Sequence, residues 1–381
     1  MKNFFWLGVI GWILFEIANV YFIMPMPGMP GNQQMDSIDL AYFLYRWRWV
    51  FRILFAGLMI LGWSKSNWKR KWLIIFPLAA ITAVVYMTNF VMAADHMFYQ
   101  PNHVIMTDAL KNEVDSNRLV IGVVHNGEAR AYPIRFLGYH HQILDTVGGK
   151  PMIITYCTVC RTGRVFEPLV NGKPETFRLV GMDHFNAMFE DATTGSWWRQ
   201  VNGEAIAGPL KGQRLPEVFS VQSSLNEWIK LYPSTLIMQA DSSFIGSYGK
   251  STAYETGKSR SALTGTDSIS WKPKSWVVGV KTGNATKAYD WNRLKAERII
   301  LDEIHGVPVL VVMAMDTAGF FAFERPDAQS RFTLDSTGMK YDQYHFTLQG
   351  KGIDTAFSLK PLQAYQEFWH SWQTFNPLTL K

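Results

Sequence analysis

The chain begins with long apolar segments and continues with short apolar runs that are separated by turn residues. Residues 4–24 and 72–94 are apolar over lengths sufficient to cross a bilayer as helices, and a shorter apolar run covers 45–63. The first run is too long for the apolar core of a signal peptide. The pattern therefore predicts a membrane domain at residues 1–95, built as a bundle of three transmembrane helices.

The distribution of cations predicts how this membrane domain is oriented. The loop at 64–71 holds four cations in eight residues, which is typical of the cytoplasmic side. Three spans then place the N-terminus in the cytoplasm and the large C-terminal part outside, in a multi-pass protein of the inner membrane. Glu16 is the only charge in the first run, and we expect it to pair with Arg52 inside the bundle.

The net charge of +6 belongs mostly to the membrane domain. Residues 1–95 carry eight Lys and Arg against four Asp and Glu, whereas the remainder carries 29 against 27. The charge therefore suits membrane orientation better than a nucleic-acid partner, and the sequence has no nucleotide-binding or haem-attachment pattern. Two cysteines exclude a disulfide-rich scaffold.

From about residue 100 the pattern predicts an α+β, β-rich extracytoplasmic part. Short runs rich in Val, Ile and aromatic residues alternate with Gly, Pro and Asn turns. The predicted strands are Leu119–Val124, Met152–Tyr156, Arg164–Phe166, Ser275–Lys281, Val307–Val312 and Phe320–Phe323. The predicted helices are Leu225–Tyr232, capped by Ser224, and Leu362–Phe375.

An internal repeat divides this β-rich part into two tandem modules. Residues 120–168 align with 277–325 without a gap, and 13 of the 49 positions are identical. We therefore predict a first copy at 100–245 and a second copy at 265–381. His140, His141, Cys157 and Cys160 have no counterpart in the second copy. The chemistry is expected in the first copy, with the second as a degenerate partner that packs against it.

The Cys157-Thr158-Val159-Cys160 motif is the strongest chemical signal in the sequence. It follows a predicted strand, and the β-forming residues after Gly163 argue against a helix of the thioredoxin type. A strand–turn–strand arrangement resembles a metal-binding turn. The open alternatives are a structural disulfide, a metal site, a catalytic dithiol in which Arg161 stabilises a thiolate, and a buried inert pair.

A metal site at this motif would need ligands besides the two thiolates. His140 and His141 lie upstream of the strand that carries the cysteines, and His184 lies downstream. Thiolate and imidazole ligands suit copper, with zinc as the alternative. The outer loop adds closely spaced Met residues at 24–29, although a proline-stiffened loop that contacts lipid or the soluble part is the favoured interpretation.

Several motifs of the first copy resemble one known family. They are Asn126–Pro133, His140, Asp145–Gly149, Thr155–Cys160, Gly195-Ser196-x-Trp198, Gly203–Ala205 and Gly208–Leu210. Together they resemble the family of domain of unknown function 3179. Its common form has Cys-Pro-Leu-Cys followed by Gly, and Glu where His141 stands, so the site of this chain departs from the pattern. The family supplies no activity.

The leading hypothesis is a membrane-anchored protein that binds a soft metal or uses it for redox chemistry. Cys157 and Cys160 would be ligands, with His140, His141 or His184 completing the set. The first alternative is a thiol–disulfide oxidoreductase in which Cys157 attacks and Cys160 resolves. The second is a non-enzymatic assembly protein with a structural disulfide. Expected partners are membrane lipid and either another membrane protein or a lipid-soluble substrate.

Overall fold

The computed structural model of the chain describes residues 1–24, 36–248, 252–335 and 337–381. It has an α+β architecture in which short strands predominate. The helices are α1 (Lys2–Ile23), α2 (Ile38–Arg46), α3 (Arg48–Ser64), α4 (Ile75–Tyr86), α5 (Ala94–Met97), α6 (Ile134–His140), α7 (Leu225–Leu231), α8 (Ile245–Tyr248), α9 (Thr252–Glu255), α10 (Trp291–Glu297) and α11 (Trp369–Phe375). A 3-10 turn at Lys71–Ile74 and a π turn at Met87–Val91 extend α4 at its two ends.

The strands are short and mostly antiparallel. They are β1 (Met106–Asp108), β2 (Leu119–His125), β3 (Glu128–Pro133), β4 (Gln142–Val147), β5 (Lys150–Cys157), β6 (Thr162–Phe166), β7 (Leu169–Val170), β8 (Lys173–Pro174), β9 (Phe177–Asp183), β10 (Asn186–Asp191), β11 (Trp197–Arg199), β12 (Ala205–Ala207), β13 (Ser220–Ser224), β14 (Leu236–Met238), β15 (Trp276–Thr282), β16 (Ala285–Asp290), β17 (Ile299–Ile304), β18 (Val307–Met313), β19 (Phe320–Glu324), β20 (Phe332–Leu334), β21 (Met339–Tyr341), β22 (Tyr344–Phe346), β23 (Lys360–Leu362) and β24 (Ala364–Phe368).

The described chain forms two compact units. The first contains residues 1–99, 176–199 and 204–214, and the second contains 100–175, 200–203 and 215–381. The first unit therefore combines the N-terminal helices α1–α5 with the sheet β12-β11-β10-β9. The second unit holds the remaining strands, and the cysteine motif lies in it.

The N-terminal helices of the first unit pack closely through glycines. A Cβ atom on Gly62 of α3 would lie 2.2 Å from the backbone nitrogen of Phe5 in α1, and one on Gly8 would lie 2.6 Å from the Met59 side chain. Small residues of this kind let helix backbones approach each other, as is common between helices in membranes. Phe5, Met59 and Ile81 of three different helices share one buried cluster.

The predicted pairing of Glu16 with Arg52 is confirmed. Arg52 Nε donates to Glu16 Oε1 at 2.7 Å, and Arg52 Nη2 donates to Glu16 Oε2 at 3.0 Å. Asn89 joins both partners, since it accepts from Arg52 at 2.8 Å and donates to Glu16 at 3.0 Å. Each of the three N-terminal helical segments thus contributes one member to a buried polar cluster.

The structure bears out part of the membrane prediction. Within the described residues, the helical segments Lys2–Ile23 and Lys71–Val91 are long and apolar enough to cross a membrane. The third predicted span, 45–63, does not reach that length. Helix α3 has 17 residues because the chain breaks its helical geometry at Trp47, between α2 and α3.

The first half of the second unit contains the sheets β1-β14-β3-β2-β13 and β4-β5-β6. Gly122 of β2 packs directly against the indole ring of Trp228 in α7. A Cβ atom at position 122 would lie 2.1 Å from this ring. Trp228 Nε1 donates to the hydroxyl of Thr235 at 2.8 Å. Ser224 caps α7 as predicted, accepting from the backbone of Glu227.

The second half contains the sheets β16-β15-β24, β17-β18-β19-β23 and β20-β21-β22. Here Gly279 of β15 lies under Trp372 of α11, again with a prospective Cβ contact of 2.1 Å, and Trp372 Nε1 donates to Thr379 at 2.8 Å. The helix predicted at Leu362–Phe375 is wrong in its first half. Residues 364–368 form β24, because they pair with β15, and the last four of them are buried.

Replacing Gly279 with Ala tests the close glycine–tryptophan contact. We expect the free energy of unfolding to fall by at least about 1–3 kcal/mol, because the added methyl group overlaps with the Trp372 ring. Thermal unfolding of the full chain in detergent measures the effect. Gly246 in α8 has open space around a prospective Cβ, so Gly246→Ala is the matched control and should be neutral or slightly stabilising. Equal melting temperatures for both variants would contradict the packing argument.

Candidate functional site

The cysteine motif forms the turn of a β-hairpin. Strands β5 and β6 are antiparallel, with Cys157 opposite Thr162. The intervening residues form a turn, and Arg161 has a left-handed backbone conformation with φ of 56°. The predicted strand–turn–strand geometry is therefore confirmed, and the motif is not followed by a helix that could lower the pKa of a thiol.

The two thiols lie together in the interior of the second unit. Cys157 is 2% exposed and Cys160 is fully buried, and both are free thiols. The Cys160 thiol makes hydrogen bonds with Cys157 and with the hydroxyl of Ser371. Burial is the main cause that raises the pKa of Cys160 well above its usual value, and the neighbouring Cys157 adds to it.

Residues near the C-terminus enclose this turn. The backbone N–H of Phe368 donates to the Cys160 carbonyl at 2.9 Å. The His370 side chain hydrogen-bonds to the backbone of Val159, and burial lowers the pKa of His370 to about 4, with the charge of Lys274 adding to the shift. Strand β24 and the start of α11 therefore hold the second half of the cysteine turn, at Val159 and Cys160.

Lys274 supplies a positive charge next to the sulfurs. Burial lowers the pKa of this amine, while Cys160, Cys157 and Asp267 act on it electrostatically in the opposite direction. Its ammonium group donates to the Leu263 carbonyl and lies 5.0 Å from the ring centroid of Phe368. A thiolate at this site would therefore have a cationic neighbour already in place.

Arg161 is a buried structural link in this structure. Its guanidinium donates to Gln366 Oε1 and to the carbonyls of Tyr254 and Glu255, each at 2.9 Å. It also lies 3.6 Å from the ring centroid of Trp276. These hydrogen bonds use three of its five N–H donors. The proposed support of a thiolate by Arg161 stays a prediction.

A buried ion pair lies beside the turn. Arg164 and Glu367 have side chains with no exposed surface, and Arg164 Nη2 donates to Glu367 Oε1. The same carboxylate accepts from Thr162 at 3.0 Å and from Ser371 at 2.9 Å. Ser371 thus joins the ion pair to the thiol of Cys160.

His140 and His141 lie at the C-terminal end of a helix. His140 is the last residue of α6, and His141 ends the helix in a left-handed conformation with φ of 63°. His140 Nε2 lies 2.6 Å from the Tyr248 hydroxyl, and His141 Nδ1 lies 3.1 Å from the Tyr139 carbonyl. Burial lowers the pKa of His141 to about 4.

His184 belongs to the other compact unit. Its Nδ1 lies 2.6 Å from Asp183 Oδ1, and Arg199 Nε donates to the second oxygen of this carboxylate at 2.6 Å. The hydrogen bond that His184 donates to the Asp183 carboxylate raises the pKa of His184. Of the Met residues at 24–29, Met24 is described and the rest of the motif lies outside the described residues.

The structure does not assemble the predicted set of metal ligands. Across residues 1–24, 36–248, 252–335 and 337–381, no three side chains of His, Cys, Asp or Glu come close enough to hold one metal ion. What it does assemble is a dithiol with Lys274, Ser371 and the Arg164–Glu367 pair. Sequence reasoning missed the residues that follow 270 in the chain. The available signal was the polar pair Gln366-Glu367 between aromatic residues.

Two histidines with a lowered pKa predict a loss of stability in mild acid. Both His141 and His370 have a folded-state pKa of about 4, below the unfolded value of about 6.5. The unfolded chain therefore binds protons first, and stability falls as the pH drops from about 6.5 towards 4. Each histidine accounts for a loss of up to roughly 2 kcal/mol in the free energy of unfolding at pH 5.

Urea unfolding at pH 7.5 and pH 5 measures this effect. The His141→Asn/His370→Gln double variant should show a smaller difference between the two pH values than the wild type. Asn suits the left-handed position of His141. The control is His345→Asn, at an exposed side chain, and it should keep the wild-type difference. An unchanged difference in the double variant would contradict the prediction.

Comparison with known proteins places the chain in a family. No curated protein and no solved structure matches it significantly. A family model matches residues 99–379, which cover most of the chain and include both halves of the second unit. The protein therefore belongs to the family described as protein of unknown function, DUF3179.

Proposed function

We propose that Cys157 and Cys160 bind a soft monovalent metal ion, Cu(I), as a pair of thiolates. The observation that carries the proposal is the dithiol with the Lys274 ammonium as its electrostatic neighbour. Two thiolates and Cu(I) carry a net charge of −1, which one lysine neutralises. Zn(II) takes four ligands, and the described residues offer two sulfurs, so copper is favoured over zinc.

In this proposal, a histidine is only an additional ligand to a metal ion that the two thiolates already hold. His140 and His141 are next to each other in sequence, but each has a hydrogen-bond partner of its own. For either imidazole to complete the ligand set, it would have to exchange that partner for the metal. A two-coordinate dithiolate site needs no such rearrangement.

We further infer that the second unit contains a duplicated module. The supporting observation is the repeated geometry of Gly122 with Trp228 and of Gly279 with Trp372, each indole donating to a Thr. In addition, the bounds of β2, β3, α6 and β4 recur after 157 residues as those of β15, β16, α10 and β17. On this view the second copy has lost the cysteines and now supplies the groups that cover them.

We also propose the membrane topology that the sequence predicted. The third span would combine α3 with the end of α2, the N-terminus would be cytoplasmic, and the β-rich part would be extracytoplasmic. Support comes from large apolar side chains exposed on α3, such as Ile53 and Ile60, which water would not favour. The cluster of Glu16, Arg52 and Asn89 also gives the polar side chains of the three segments mutual partners.

A thiol–disulfide function is the second candidate, because the two sulfurs contact each other. Oxidation would join Cys157 and Cys160 and release two protons and two electrons to an acceptor disulfide. The burial of both sulfurs and the raised pKa of Cys160 disfavour rapid exchange. A disulfide with a purely structural role would share this burial.

Copper content and thiol titration of the full chain test the proposal. The protein is purified anaerobically in detergent, loaded with Cu(I), and separated from free metal. We expect about one copper per chain, lost in Cys157→Ser and Cys160→Ser. A wild-type chain that retains no copper while both thiols are titratable would contradict the proposal, and two oxidised cysteines would favour the disulfide alternative.

The role of Lys274 gives this experiment a matched pair of variants. Lys274→Met removes the charge beside the thiolates and should weaken Cu(I) binding about tenfold in competition with a chelator. Lys272→Met removes an exposed charge two residues away and should have no effect. Equal affinities for the two variants would count against the charge argument.

A further inference from the structure

A cavity lies at the end of the membrane domain opposite the polar cluster of Glu16, Arg52 and Asn89. Its volume is about 770 Å³. It is lined by the first residues of α1, the end of α3, and the segment that leads into the Lys71–Val91 helix. The charged side chains that line it are Lys2, Lys69 and Arg70.

The cavity combines several hydrogen-bond donors with positive charge. Three cations line it, and within the described part of the chain no carboxylate forms an ion pair with them. Trp68 Nε1 is buried and has no acceptor among the described residues. Lys2 Nζ lies 5.4 Å from the Trp68 ring centroid, so the ammonium and the indole face the same space. An anion with several oxygen acceptors would satisfy these groups.

The remaining walls are apolar, which narrows the class of anion. Trp6 and Phe76 line the same cavity, and they are 47% and 61% exposed. A free inorganic anion would leave this apolar surface uncovered, whereas a phosphate diester with acyl chains would cover both surfaces. Basic pockets between membrane helices on the cytoplasmic side bind anionic lipid headgroups in this way.

We propose that this cavity binds an anionic phospholipid, with its phosphate at Lys2, Lys69 and Arg70 and its acyl chains along Trp6 and Phe76. The proposal rests on the membrane placement proposed above and is independent of the copper site. The Trp68 indole N–H donates to a phosphate oxygen. The lipid fixes the 65–71 loop against the helices at the cytoplasmic face.

Lipid binding to the full chain in detergent micelles tests this proposal. Phosphatidylglycerol, phosphatidylcholine and inorganic phosphate are added separately, and the thermal shift and the lipid retained after gel filtration are measured. We expect a clear upward shift of the melting temperature with phosphatidylglycerol only. An equal shift with phosphatidylcholine, or with inorganic phosphate alone, overturns the proposal.

Two double variants separate a specific cavity from general loop charge. Lys69→Gln/Arg70→Gln should weaken binding of phosphatidylglycerol by about tenfold or more, because two cations near the headgroup are removed. Lys65→Gln/Lys71→Gln removes the same charge from the same loop but leaves the cavity lining intact, so it should change binding less than about twofold. Equal losses in both overturn the proposal. Trp68→Phe, which keeps a ring, should also weaken binding.

Membrane fractionation separates failure of this proposal from failure of the membrane placement. A protein that resists carbonate extraction but shows no preference for phosphatidylglycerol overturns the lipid site alone. A protein recovered in the soluble fraction overturns the membrane placement and the lipid site together. The Cys157→Ser/Cys160→Ser variant should bind lipid as the wild type does, whatever the outcome for copper.

Discussion

Replacing Glu367 with Gln is expected to destabilise the second unit by roughly 3–5 kcal/mol, because it leaves a buried guanidinium without its counter-charge. Arg164 and Glu367 both have side chains with no exposed surface. The guanidinium also contacts the Tyr365 ring, at 3.3 Å from its centroid. Glu217, at 3.7 Å from Arg164 and 30% exposed, is too distant and too hydrated to replace the lost partner.

Chemical unfolding of the full chain, followed by tryptophan fluorescence, measures this loss. The matched control is Glu324→Gln, because Glu324 pairs with the exposed Lys360 and its removal should cost less than about 1 kcal/mol. The double variant Arg164→Met/Glu367→Leu removes both charges and should recover much of the stability. A Glu367→Gln variant as stable as the control would show that the pair is not a structural anchor.

The double variant Arg164→Met/Glu367→Leu also tests whether the ion pair positions the cysteines. Glu367 accepts from Ser371, which in turn contacts the Cys160 thiol. If the network positions the thiol pair, Arg164→Met/Glu367→Leu should fold and yet bind Cu(I) more weakly than the wild type. A merely structural role for the ion pair predicts unchanged affinity in that folded variant.

Local sequence patterns were sufficient to predict the hairpin that carries the cysteines. The β-forming residues of β5 and β6 and the Gly at 163 are all within about fifteen residues of one another. Extended strands joined by a short turn need no information from distant residues. The buried state of the sulfurs could not be predicted in the same way, because β24 covers them and lies some 205 residues further along the chain.

The histidine pair illustrates a different limit. Helix α6 has seven residues, which is too short for its apolar period to be distinguished from a strand. Pro133 precedes it and His141 ends it in a left-handed conformation that a sequence pattern signals mainly when Gly or Asn is present. Whether His140 or His141 could act as a ligand depended on that geometry.

Replacing Arg52 with Gln is expected to cause the second large effect, a loss of roughly 3 kcal/mol or more in the stability of the helix bundle. Arg52, Asn89 and Trp12 all donate to Glu16, so removal of the guanidinium leaves a carboxylate with two neutral donors and no counter-charge in apolar surroundings. Membrane-embedded charges without a partner carry a high free-energy cost. Titration with a denaturing detergent, followed by circular dichroism, measures the change.

Arg46 provides the matched control, since it is an exposed arginine of a neighbouring helix, and Arg46→Gln should stay within about 0.5 kcal/mol of the wild type. The double variant Glu16→Gln/Arg52→Gln removes both charges while retaining groups that hydrogen-bond with Asn89. If this double variant recovers the stability of the wild type, the two charges serve mainly to neutralise each other within the bundle. Failure to recover, in a variant that still folds, means that the ion pair itself is required and that the charges do more than neutralise each other.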